Sequence, residues 1–590
     1  MGRDYLGGAG GPAASASGAS GGPSEPLLGV AFSASPASVV APRAARRPKD
    51  TFWAVLYLAT LAAALAGGVY AAVHHNPEGF AHGLNPKYLA DPAHCPVAPS
   101  GGGRSLLFSD AQPADHPAFS PKFFLAAASF YVALSVAGGV LLGIGAMALY
   151  RTKPRAAVYG AIALQIGAPL AGALAILASG APLPAAAPFL FTASILAFVY
   201  YLYREQLGLV AQLLGTAAQA ISHVYGTIVA AAGLQLASAL VSLPLVASAL
   251  FAYANGDVAR SSLVARVVEA GGGESAAAQC LSASGDPVLC CAWQPKPWAL
   301  GAAALCALSL AWTSLLAFCL KTYVVSGAVA TWYFAPVDAG SAATSRATSD
   351  ALRNALGPSL GSCALAAWLL NLISWARQAL QQLREQSRDS FIAQLLLSCV
   401  DFLYSILEQL SKFGVVFSAI TGDDFFTAAR QATSLLSRNL LDTAAVFYFP
   451  GTVVGLTNLV LSGAWSAAAG MTSYHLAFAP AAARAVAEGA ADVGPVAAQS
   501  AVAVGVVSFV FAYAALAFLS SVLLSAVDAA YICFAIDRDR HQTTRAEVHA
   551  VMVLLPAAKA ATGPGGGIVE QPGVGYAFGA ERGAGLASAV

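Results

Sequence analysis

Charge is what this 590-residue sequence has least of: only 10% of its residues are Asp, Glu, Lys or Arg, where soluble domains carry about 25%. With 57% of residues in the hydrophobic set and a mean hydropathy of +0.66, a water-soluble fold is excluded and the composition reads as an integral membrane protein. Neither sign of charge is in surplus. Thirty Lys and Arg against 29 Asp and Glu leave a net charge of +1, so no basic excess exists to neutralise a nucleic-acid backbone, and nucleic acid is not an expected partner. The phosphate-cradling G-x-x-x-x-G-K-[ST] loop is missing, which removes the usual ATP-driven pump. H-E-x-x-H and paired C-x-x-C are missing too, which removes common metal sites. A lone G-x-S-x-G string, Gly18–Gly22, sits in a Gly/Ser-rich stretch without the flanking strand and helix that a nucleophile elbow requires. Neither an enzyme nor a bound cofactor is expected.

Long apolar runs are what the sequence has in abundance. They fall at Thr51–Val73, Phe123–Tyr150, Ala156–Ser179, Ala185–Tyr203, Gly226–Tyr253, Trp298–Val325, Asn354–Ile373, Phe391–Ala419, Leu440–Ala469 and Val496–Phe534. Each is near or above the roughly 20 residues that cross a bilayer. The expected fold is an all-α polytopic membrane protein, about ten transmembrane helices in one bundle with disordered N- and C-terminal tails. Residues 1–50 read as a disordered tail, 51–534 as the membrane domain and 535–590 as a C-terminal tail. Arg43, Arg46, Arg47 and Lys49 precede the first run, and a basic cluster beside a first span stays cytoplasmic. An even number of spans then returns the chain to the cytosol. One connection disagrees: Arg377, Arg384 and Arg388 between the seventh and eighth runs fall on the outer side by this count, so a span there is re-entrant or miscounted.

The longer outside connections are residues 74–122 and 254–297. They hold Cys95, Cys280, Cys290 and Cys291, whereas the other five cysteines lie in or beside apolar runs. An oxidising outer face allows a disulfide among these four, with free loop thiols as the alternative. No N-x-[ST] sequon is present to map the outside. Between the fourth and fifth runs, Leu207, Val210, Leu214, Ala217 and Ile221 recur at helical intervals, which fits an amphipathic helix on the cytoplasmic surface. Gly139-x-x-x-Gly143 and Gly451-x-x-x-Gly455 allow close helix approach.

Ionisable groups inside spans are costly and therefore functional candidates. The eighth run has the densest set: Asp401, Tyr404, Glu408 and Lys412 recur at i, i+3, i+7 and i+11, on one helical face. Glu408 and Lys412 are also an i, i+4 pair, so an internal ion pair competes with a substrate role. In the seventh run Trp368, Asn371 and Trp375 share a face, and Trp332–Tyr333 follow the sixth. Such aromatics form either an interfacial belt or a box for a quaternary ammonium ion, which ring faces attract.

Ser405–Asn439 (SILEQLSKFGVVFSAITGDDFFTAARQATSLLSRN) resembles the signature of the choline transporter-like family, at Leu407–Glu408, Gly422, Phe425, Ala429–Arg430 and Arg438–Asn439. Ser326–Ala335 (SGAVATWYFA) and Ser525–Arg540 (SAVDAAYICFAIDRDR) resemble two further family segments. Gln409 stands where the family has Lys, and Asp423–Asp424 replace a basic or polar pair. The resemblance implies a ten-span carrier with both termini cytosolic, moving choline or a related amine such as ethanolamine across plasma and organelle membranes by facilitation or proton exchange. It implies no enzyme and no cofactor; its partners are the amine and the lipid bilayer, and the oligomeric state stays open. The candidate substrate-binding residues are Trp332, Trp368, Tyr404, Glu408 and Asp401. Asp528, matching the family's Val-Asp step, is the candidate coupling group, with a structural carboxylate at a helix end as its alternative. Another cationic metabolite of thiamine type, or a non-transporting membrane scaffold, are the rival functions.

Non-reducing mass spectrometry after alkylation is expected to find blocked cysteines among Cys95, Cys280, Cys290 and Cys291. Four free thiols there would exclude the loop disulfide.

Overall fold

The computed structural model describes residues 39–42, 46–74, 80, 89, 121–180, 182–260, 291–336, 344–386, 391–437, 440–487, 494–540 and 542–552. In chain order the helices are α1 (Thr51–Val73), α2 (Pro121–Thr152), α3 (Pro154–Ala178), α4 (Leu183–Leu202), α5 (Arg204–His223), α6 (Gly226–Tyr253), α7 (Pro297–Phe334), α8 (Ala347–Leu356), α9 (Leu360–Gln386), α10 (Phe391–Thr421), α11 (Phe425–Ser437), α12 (Leu440–Ser473), α13 (Ala479–Ala487), α14 (Gly494–Asp539) and α15 (Ala546–Met552). A π-helical turn, Tyr474–Phe478, joins α12 to α13. The membrane domain is all-α, as composition implied, because in lipid a helix satisfies its own backbone hydrogen bonds. Pro154 and Pro297 sit in the first turns of α3 and α7, where a missing N–H costs nothing.

Among the described residues, eight helices are long and apolar enough to cross a membrane: α1, α2, α3, α4, α6, α7, the Pro450–Arg484 stretch and α14. A ninth is added if α8 and Leu360–Glu385 of α9, bent by 71° at their break, form one span. The remaining apolar run falls on α10, a 31-residue helix that carries Asp401, Glu408 and Lys412 and is not among the eight. The expected ten spans are therefore matched at eight positions, with a broken helix and a charged helix at the other two.

Two strands face each other in the connection after α6. β1 (Gly256–Arg260) pairs antiparallel with β2 (Cys291–Pro295), from Gly256↔Pro295 to Arg260↔Cys291. Cys291 is disulfide-bonded, whereas Cys306, Cys319, Cys363, Cys399 and Cys533 are free. The other three loop cysteines lie outside the described residues. This end of the bundle is tied to α1, since Asn255 Nδ2 donates to the Ala71 carbonyl at 2.9 Å and Tyr70 meets Trp298 edge-on at 5.2 Å.

At the opposite end both terminal segments are docked. Arg46 lies among neutral acceptors: Nη1 donates to the Tyr323 hydroxyl at 2.5 Å, Nη2 to the Ala419 and Ile420 carbonyls at 2.8 and 3.2 Å, and Nε to the Ala41 carbonyl at 3.2 Å. Lys49 pairs with Asp423 at 3.2 Å, and the Asp50 carboxylate accepts from Ser362 Oγ at 2.6 Å and the Phe425 N–H at 3.0 Å. The stretch expected to have no fold thus ends in a strap, Arg46–Asp50, held on the bundle by a few charged side chains that average composition hides. Gly422, with φ +75°, makes the turn between α10 and α11, and a Cβ there would press on Arg46 Cγ at 3.2 Å.

The other terminal segment is likewise ordered beyond the expected end of the membrane domain. Asp537, 1% exposed, accepts from the Tyr333 hydroxyl at 3.0 Å and from the Thr544 N–H and hydroxyl, both at 2.9 Å, and pairs with His549 of α15 at 3.3 Å. A buried carboxylate is retained because every neighbour donates to it. The amphipathic helix α5 closes the same end, and its apolar face packs against protein. Leu207, Val210, Leu214, Ala217 and Ile221 are all buried in one core with the ends of α2, α3, α7 and α14.

Small residues set the closest helix contacts. A Cβ added at Gly139 of α2 would lie 2.8 Å from Ala515 Cβ and 3.0 Å from the Ala512 carbonyl of α14, and one at Gly143 would strike Leu519. Among the described residues, Gly451 and Gly455 of α12 have no such neighbour. Gly139→Val is therefore expected to destabilise the bundle by about 1–3 kcal/mol through overpacking, while Gly455→Val leaves the apparent thermal midpoint in detergent unchanged.

Candidate functional site

The charged face of α10 is directed at α9 rather than at open surroundings. Arg377 of α9 stands between the two acids: its Nε is 3.2 Å from Asp401 Oδ1, a Coulomb contact without hydrogen-bond alignment, and Nη1 donates to Glu408 Oε2 at 3.1 Å. Nη2 reaches Ser405 Oγ at 3.2 Å. Glu408 Oε1 also meets Lys412 Nζ at 2.9 Å, so the i, i+4 pair read from the sequence is present, and Arg377 makes it a three-membered network with Asp401 attached. Arg377 is one of the three arginines that disagree with the positive-inside reading. It is spent on helix–helix ion pairs, and Arg384 likewise donates to Ser398 Oγ at 2.8 Å across the same hairpin. The four ion-paired side chains remain 25–43% exposed. Charges of that exposure must border water or polar protein rather than acyl chains.

The network continues inward through Lys412. Its ammonium stands 5.8 Å from the ring centroid of Phe318 on α7, and the Lys321 ammonium stands 4.8 Å from the same centroid. Both distances are in the cation–π range. Lys321 is 7% exposed and donates to Ser521 Oγ of α14 at 2.7 Å. Asp528 of α14 lies within electrostatic reach of Lys412. Helices α7, α9, α10 and α14 thus bring Glu408, Lys412, Lys321, Phe318 and Asp528 into one region, with Arg377 and Asp401 on its α9–α10 side. Tyr404 is half-buried on α10, one turn from Glu408.

The two tryptophans do not join this group in one cage. Trp368 packs in the core against Trp312, ring centroids 4.8 Å apart, and against Trp375 at 6.1 Å. Trp312 donates its indole N–H to the Ala364 carbonyl at 3.0 Å. Trp332 lies 20 residues beyond Trp312 on α7, about 30 Å along the axis. Its ring stacks on His223 at 5.8 Å and carries the Arg545 guanidinium at 4.9 Å, while Arg545 Nη2 donates to the Trp332 carbonyl at 2.8 Å. A shared ammonium box of Trp332 and Trp368 is excluded by that separation, and the face of Trp332 already holds a cation of the chain itself.

Sequence reading missed Phe318, Lys321 and the role of Arg377. Lys321 carried a usable signal, being the single charged residue between Pro297 and Phe334. Phe318 carried none, since a phenylalanine in an apolar helix is indistinguishable from core. Among the described residues no group of three His, Cys, Asp or Glu is placed to hold a metal ion.

A family model described as plasma-membrane choline transporter matches residues 188–539, a stretch that contains every candidate residue from Trp332 to Asp528. A CTL-like protein of Dictyostelium discoideum is 27% identical over 161 residues, which is 26% of this chain and 29% of that relative. The chain therefore aligns with under a third of the curated relative's length.

The Arg377 network yields a direct test. Arg377→Leu leaves Asp401 without its partner at a half-buried position, and a loss of about 1–2 kcal/mol is expected, between the exposed and fully buried limits. Adding Asp401→Leu is expected to restore most of that loss in a double-mutant cycle read by thermal unfolding.

Proposed function

The chain belongs to the choline transporter-like family, and on that premise we propose that it carries choline or a related small amine such as ethanolamine, as a facilitated carrier or a proton-coupled exchanger. The observation that carries this reading is the Phe318 ring with two alkylammonium groups against it and Glu408 paired to one of them. A choline headgroup asks for the same surroundings, an aromatic face and a nearby carboxylate that need not receive a hydrogen bond. Glu408 and Asp528 supply the negative charge along this path, and Asp401 and Tyr404 stand toward its α9–α10 side. Asp528 is the group we assign to coupling. Trp368 acts from the adjoining aromatic core, and Trp332 acts at the docked end rather than at the amine.

The driving force requires no nucleotide. A permanent cation is drawn toward a negative interior by about 2.3 kcal/mol per charge per 100 mV. The strap and the segment after α14 lie at one end of the bundle, and the basic residues before α1 favour the cytosol for that end. We assign the protein to the plasma membrane on the same grounds as its substrate.

Proteoliposomes containing the protein are expected to take up labelled choline above empty vesicles under an inside-negative potential, with ethanolamine competing. Glu408→Gln is expected to raise the half-saturating choline concentration about tenfold, which is about 1.4 kcal/mol. Uptake equal to that of empty vesicles would overturn the carrier reading, and competition by thiamine in place of ethanolamine would reassign the substrate.

A further inference from the structure

Lys321 is placed where structural economy alone would not put a charge. It is the single charged residue of the 38-residue helix α7, it is 7% exposed, and among the described residues no carboxylate lies within ion-pair distance of it. A buried ammonium without a counter-ion costs several kcal/mol of desolvation that one hydrogen bond to Ser521 does not offset. Its neighbour Lys412, by contrast, has Glu408 at 2.9 Å. An apolar side chain of similar length would fill the same space at lower cost.

Its surroundings explain the choice. The end of α7 is locked to the end of α14 by the Tyr333–Asp537 hydrogen bond, and both helices end on this side of the bundle. Counting back the same distance along each helix from that contact brings Lys321 level with Ser525. Ser521 and Asp528 then lie about one turn to either side of it. The lysine points toward Ser521, the direction in which helical side chains lean. Asp528 lies within electrostatic reach of Lys412, and among the described residues it too has no ion-pair partner within bonding distance. A flexible ammonium therefore sits between two stations on α14, one a hydroxyl beside an aromatic face and the other a carboxylate.

We propose that Lys321 is a resident cation of the amine path: its ammonium holds the Phe318–Ser521 position when no substrate is bound, and an incoming ammonium ion displaces it toward Asp528. This rests on the carrier reading and deepens it, making Lys321 a specificity-determining residue that competes with the substrate. The displaced lysine meets a carboxylate, so the path holds two cations without leaving either unpaired. Only a ligand that outbids an alkylammonium for the ring face occupies the position, which favours cations over neutral amphiphiles of the same size.

The test is equilibrium binding of labelled choline to the purified full-length protein. Lys321→Met keeps the length and removes the competitor, so the apparent Kd is expected to fall about tenfold as the occupied fraction of the site is released. Lys321→Arg keeps the charge and is expected to show no such tightening. A Met variant with unchanged or weaker choline binding and a wild-type thermal midpoint would overturn the proposal. Should the Met variant fail to fold, Ser521→Ala releases the lysine from its hydrogen bond, and choline binding is expected to tighten about fivefold, since one such bond is worth about 1 kcal/mol; unchanged affinity there overturns the proposal equally. Wild-type protein that binds no amine would overturn the carrier reading and this inference together, whereas wild-type binding that is indifferent to all three variants overturns this inference alone.

Discussion

A charge carried into an apolar bundle must find a partner or a path to water, and the arrangement of this molecule follows from how each charge meets that demand. Arg46 meets it with backbone carbonyls and a phenol, Asp537 with three hydrogen-bond donors and a histidine, and Arg377 with two carboxylates. Each solution ties together elements distant in sequence. The first pins the segment before α1 to Tyr323 of α7 and the end of α10, the second joins the ends of α7 and α14, and the third makes a unit of α9 and α10. Hydrophobic burial contributes little to such ties inside a bilayer, where lipid is as apolar as leucine, so polar contacts and close packing decide which helices meet.

Close packing comes from small residues where α2 crosses α14, and it places α14 within reach of α7 and α10. That placement lets Ser521 and Asp528 look into the same region as Phe318, Lys321 and Lys412. The three stretches that resemble the family's segments, Ser326–Ala335, Ser405–Asn439 and Ser525–Arg540, follow α7, α10 with α11, and α14 toward one end of the bundle. Gly422 turns beside Arg46, Tyr333 bonds Asp537, and Phe425 donates its N–H to Asp50.

The polar path and the locked end are distinct regions of one frame. The polar region holds basic and acidic groups in close balance, Arg377, Lys412 and Lys321 against Asp401, Glu408 and Asp528. The locked end has its charges fully engaged by the chain. Arg46, Asp537 and Arg545 hold the elements at that end to one another, so those contacts contribute to its stability.

The sequence by itself determined that this is a helical membrane protein, where its apolar runs lie, that Asp401, Tyr404, Glu408 and Lys412 share one face, and which family its segments resemble. Those properties are local: run length, charge scarcity and helical period are each read within a few turns of chain. Tertiary structure alone decided that Arg377 serves Asp401 and Glu408, that α5 buries its apolar face in protein rather than lipid, and that Arg46 and Lys49 before α1 dock on the bundle. It also decided that Trp368 packs on Trp312, about 30 Å along α7 from Trp332, and that Phe318 rather than either tryptophan has the lysines at its face. The physical reason is that a lone charge or ring in an apolar helix declares only its cost. Its partner is chosen by helix packing between residues tens to hundreds of positions apart, and no spacing along the chain records that choice.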